Sequence, residues 1–151
     1  IDAVYEECKY QKKGEILKDL PFLASETSIS TLDIPIDKKI NDIIDNQFCI
    51  QPAYRKLSED ESSRNQKYAV LKENFMNTAD FRLMLFAKQN LIPNLFNENI
   101  KVVTDETRNA NDGKIFKKLP ACCELVHITS ENIVDYLKEN GVDIKWIVPK
   151  Q

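Results

Sequence analysis

The pairing of NTADFRLMLFAKQN at residues 77–90 with IKVVT at residues 100–104 most constrains the fold. In the first stretch Leu83, Met84, Phe86 and Ala87 recur at helical spacing, so it predicts an apolar helix that must be buried. Thr78 suits the N-cap, and Asp80 then falls in the first turn. Beyond Pro93, Val102, Val103 and Thr104 are β-branched and predict a short buried strand. ELVHI at 124–128 predicts a second strand, and SENIVDYLKENG at 130–141 a helix with Ser130 as N-cap and Gly141 as stop. DIKWIV at 143–148 is a last strand or a tail. A helix and strand order of this kind calls for an α/β domain with a mainly parallel sheet.

The earlier half reads as helices and loop. Residues 4–18 predict a helix with Val4, Cys8, Gln11 and Glu15 along one face, weakened by Lys12-Lys13-Gly14. Residues 21–35 are rich in Ser and Thr, are bounded by prolines and predict a loop. Residues 37–48 predict a helix with Ile40, Ile43, Ile44 and Phe48 inward. Residues 59–76 predict a polar amphipathic helix that buries Tyr68, Leu71 and Phe75. No repeat or internal boundary interrupts the chain, so residues 1–151 are expected to form one domain.

Charge and composition exclude several classes. A net charge of −3 provides no overall basic field, so nucleic-acid binding would need a local patch. No apolar run approaches a membrane span, and no signal-peptide pattern opens the chain. Cys8, Cys49, Cys122 and Cys123 lack zinc-ligand spacing, and His127 is the only histidine. The cysteines are therefore read as reduced thiols of a cytoplasmic protein, buried as small apolar groups. His127, between Val126 and Ile128, is read as structural.

No phosphate-binding glycine loop or nucleophile elbow occurs, which leaves carboxylates as candidates. Asp105 and Glu106 follow the 100–104 strand, and in parallel sheets functional groups gather outside the carboxyl ends of strands. A polar loop would explain them equally well, and helix capping would explain Asp80. Arg108, Lys114, Lys117 and Lys118 come just after the acidic pair. They are either a basic patch for RNA or a solvated face.

ADFRLMLFA, IKVVTDE and KLPACCELVHITSENIVDYLKENGV, in this order and spacing, resemble the C-terminal half of a PIN-like nuclease domain. Within that superfamily the chain looks most like the small bacterial PIN-like proteins of the DUF4411 type. The resemblance covers residues 79–143 and extends to AVYEEC near the start. It implies a three-layer α/β fold and a metal-dependent ribonuclease. It also implies acidic corners at Glu7 (with Glu6 the near alternative), at Asp80, and at Asp105 and Glu106, with Thr104 supporting the last pair. In the family such acids surround Mg2+ or Mn2+, hard ions that prefer oxygen ligands. The family's first motif, an Asp closing an N-terminal strand, would lie upstream of Ile1, so the chain is expected to be an N-terminally truncated piece. The resemblance further implies an RNA substrate, the toxin role of a toxin–antitoxin pair with an antitoxin partner, and a homodimer. The alternative is a non-catalytic PIN-like domain that binds protein or RNA.

Overall fold

A computed structural model describes residues 2–10, 29–31, 33–91, 100–107 and 113–141, with only the backbone of Glu7, Cys8 and Tyr10. In chain order the elements are α1 (Asp2–Tyr10), α2 (Lys38–Ile43), a π-helical turn (Ile44–Phe48), α3 (Gln51–Arg55), α4 (Glu61–Met76) and α5 (Ala79–Asn90). β1 (Lys101–Thr104), α6 (Leu119–Leu125), β2 (Thr129–Asn132) and α7 (Ile133–Glu139) complete the order. β1 and β2 are parallel, in register from Lys101 opposite Thr129 to Thr104 opposite Asn132. Parallel neighbours need a crossover, and α6 provides it, packing on both strands. The expected α/β class with a parallel sheet flanked by helices is therefore what forms.

Short polar side chains begin most helices as the caps require. Asp37 accepts from the Ile40 N–H, Asp60 from Ser63, Thr78 from Phe81 and Asn132 from Val134. Inside α5 the inward residues are Ala79, Phe81, Met84, Leu85 and Ala87. Ile40, Ile44 and Phe48 turn inward as their spacing demands, and Ile43 is half-buried against the core. The helix of residues 37–48 widens after Ile43. The Cys49 N–H donates to the Ile44 carbonyl at 2.9 Å, five residues back. Asp45 anchors this turn to α4, accepting from the Tyr68 hydroxyl at 2.6 Å and pairing with Lys72 at 2.7 Å. Burial, then the Asp45 carboxylate, pushes the Tyr68 hydroxyl far above its ordinary pKa, so it stays a donor.

Two sequence expectations need correction. ELVHI is not a strand: residues 119–125 are α6, and Val126 and His127 form a turn. The Ile128 N–H donates to the Cys123 carbonyl at 2.9 Å and the His127 N–H to the Glu124 carbonyl at 3.1 Å. That is a Schellman ending, with His127 at φ 61 in the position glycine usually takes. With no glycine to mark the stop, the apolar run read as β. Ser130 is not an N-cap either. It lies in β2, and Asn132 caps a shorter α7. Gly141, at φ 76, does follow that helix as expected. The expectations for residues 11–18, most of the 21–35 loop and 143–148 lie outside the described residues.

Candidate functional site

β1 ends at Thr104, and its side chain turns the backbone that follows. The Thr104 hydroxyl oxygen accepts from the Glu106 N–H at 3.1 Å. The Glu106 carboxylate then reaches the start of α6, where Oε2 accepts from the Leu119 N–H at 2.9 Å. Lys118, the formal N-cap of α6, makes no capping bond with its side chain. Glu106 therefore takes a role that a local Ser or Asp usually fills, and it does so from another element.

The segment before α6 is fixed by the π-helical turn. Cys49 and Phe116 form an antiparallel bridge, with the Ile50 N–H donating to Ile115 at 2.8 Å and the Lys117 N–H to Phe48 at 3.0 Å. Phe116 is thereby pressed onto Phe75, the rings stacked with centroids 4.4 Å apart. Phe81 meets the other side of the cluster 5.3 Å from Phe75. Lys114, Lys117 and Lys118 are carried by the same pinned segment.

These elements enclose a cavity of about 480 Å3. Asp80, from the first turn of α5, and Glu106, from the end of β1, both line it. So do Lys114, Lys117 and Lys118, while Phe75, Phe116, Met84 and Leu119 form apolar wall. Cys122 also lines the cavity from α6, and its buried thiol is pushed up to about 12. Burial is the main cause; Cys123, Glu106 and Asp80 add to it, and Lys117 opposes. Both carboxylates thus act electrostatically on one buried atom, although 26 positions separate them in the chain (106 − 80).

The other expected site residues are placed as follows. Asp105 is exposed and outside the cavity lining. Glu6 is exposed on α1 and pairs with Lys9 at 3.7 Å. Glu7 lies on α1, which rests against α5, but its side chain is outside the described ones. Arg108 lies outside the described residues. No group of three or more His, Cys, Asp or Glu side chains among the described residues is arranged to hold a metal ion. Asn74, Phe116 and Cys122 also line the cavity and were not marked by sequence reasoning. For Phe116 a signal existed: the apolar pair Ile115-Phe116 set among lysines in KIFKK marks a buried anchor, and Phe116 is buried in the core.

Fold and site together define an α/β domain with an acidic and basic cavity beside the carboxyl end of a parallel strand. Residues 36–144 match the family model described as "Domain of unknown function (DUF4411)", and the chain belongs to that family. No curated protein and no solved structure matches the chain. Among the described residues, no helix is long and apolar enough to cross a membrane. Cys49, Cys122 and Cys123 are free thiols and buried.

Proposed function

We propose that the protein is a PIN-like, metal-dependent ribonuclease. The observation that carries this reading is that Asp80 and Glu106 line one cavity together with three lysines. Two carboxylates suit Mg2+ or Mn2+, whose preferred ligands are hard oxygens. Glu106 spends one acceptor position on Leu119, and a carboxylate has several more, so it fits a second role as ligand. A bound ion would lower the pKa of its water and offset charge on the phosphate. The chain's own residues do the rest. Asp80 and Glu106 hold the ion, with Glu7 and Asp105 the further acids of the same reading. Lys114, Lys117 and Lys118 hold the phosphate backbone in place, and Arg108 is assigned to the same role. An antitoxin partner, a homodimer and a cytoplasmic location belong to this proposal.

The test is cleavage of labelled RNA with Mn2+ or Mg2+, and its loss in EDTA. Cleavage unchanged in Asp80→Asn would remove the assignment. The apolar wall formed by Phe75, Met84 and Phe116 favours a second reading, a domain that binds without cutting. That reading predicts RNA or protein binding with no EDTA-sensitive cleavage.

A further inference from the structure

The cavity is larger and more apolar than a phosphate and a metal ion require. Two carboxylates and three lysines account for the charged part of its lining. The aromatic part, Phe75 stacked on Phe116 at an interplanar angle of 16°, has no role in holding phosphate. Asn74 also lines the cavity, exposed on α4, and its side chain makes no hydrogen bond to another described residue. We propose that this cavity receives a single unstacked nucleobase of a single-stranded RNA, next to the phosphate held by Lys114, Lys117 and Lys118. The inference rests on the ribonuclease reading and extends it to how the substrate is seated.

The chemistry favours a base over an apolar protein segment. Single-stranded nucleic-acid sites join aromatic faces for the bases to cations that follow the backbone. Here the lysines and an aromatic wall line the same cavity: Phe116, itself buried with one face stacked on Phe75, lies between Lys114 and the pair Lys117-Lys118, and the half-buried Phe75 completes the wall. Asn74 offers a donor and an acceptor, which matches the edge of a base. A volume of about 480 Å3 lies within the range of small-ligand pockets. A base inserted here would leave its own strand, so a duplex could not deliver it without unpairing.

The experiment measures binding in EDTA, where no cleavage occurs. Fluorescein-labelled RNA octamers are titrated by fluorescence anisotropy: the intact strand, its duplex, and a set each lacking one base. We expect the duplex to bind more weakly, and one abasic position to weaken binding about tenfold. Asn74→Trp fills the cavity from an exposed helical position and should abolish that positional effect. Asn74→Ala should reduce it. Lys114→Ala should weaken every octamer alike and flatten the salt dependence. Equal losses at every abasic position, or a positional effect that survives Asn74→Trp, would overturn the proposal. Failure of all octamers to bind would also overturn it. Parallel cleavage assays separate the two claims. Position-dependent binding without cleavage defeats the ribonuclease reading alone, and cleavage without positional dependence defeats the base pocket alone.

Discussion

The Glu106 carboxylate accepts a hydrogen bond from the Leu119 N–H at 2.9 Å, joining the end of β1 to the start of α6. One side chain thus closes a helix N-terminus and lines the cavity that also holds Asp80. Under the proposed ribonuclease reading this residue would serve both stability and chemistry, and substitutions there separate the two. Glu106→Ala removes the acceptor and should cost about 1 kcal/mol in urea unfolding. Glu106→Gln keeps an acceptor and should cost clearly less, while RNA cleavage falls in both. Equal stability of the two variants would show that the Leu119 contact contributes little.

Asp80 gives the complementary case. It is exposed in the first turn of α5, and Thr78 caps that helix without it. Loss of the charge near the helix N-terminus in Asp80→Asn should cost about 0.3–1 kcal/mol. If the ribonuclease proposal holds, cleavage should fall by about 10- to 100-fold, the range for loss of a group that supports a metal. Thermal unfolding and cleavage measured on one preparation check both halves.

His127 predicts a gain. Its φ of 61 is costly for a residue with a Cβ. His127→Gly should raise stability by roughly 0.5–1 kcal/mol, because glycine is at ease at the end of a Schellman motif. A loss of stability on urea unfolding would mean that the imidazole makes contacts worth more than the strain.

Asp2 sets a pH dependence. Burial acts to raise its carboxyl pKa, but the Thr31 side chain and backbone, then Ala3 and Ser30, hold it down to about 2 against an ordinary 3.8. A depressed folded-state value stabilises the protein above the unfolded pKa. That contribution is complete above about pH 5 and is lost as pH falls from about 4 towards 2. The stability gap between the parent and Asp2→Ala, about 1 kcal/mol at neutral pH, should therefore close over this window. A gap that stays constant down to pH 2 would contradict the assigned hydrogen bonds.

Cys122 and Cys123 should resist alkylation. Burial above all pushes both thiols up to about 12, so few thiolates exist at pH 8. Iodoacetamide should label them roughly a thousandfold more slowly in the native protein than in denaturant. Peptide mapping by mass spectrometry gives each site separately.

Local signals in the chain determined much of this protein. The inward Met84 and Ala87, the cap at Thr78 and the β-branched Val102–Thr104 each depend on neighbours in sequence, so α5 and β1 could be read directly, although Leu83 and Phe86, also expected inward, are only half-buried and Leu85 is buried instead. The helices at 37–48 and 59–76 were legible for the same reason. Where the local signal was misleading, tertiary structure decided. The end of α6 uses a histidine in the left-handed region, and its apolar LVHI tail looks like a strand until the Ile128-to-Cys123 hydrogen bond closes it. The candidate site divides in the same way. Asp80, Glu106 and the lysines could be named from the sequence. Only the fold decided that Glu106 turns to Leu119 and lines the cavity while its neighbour Asp105 stays outside the lining. Only the fold brought Asn74 and Phe116 to the same cavity, through the bridge between Cys49 and Phe116. Such contacts join residues far apart in the chain, and no periodicity or capping rule encodes them.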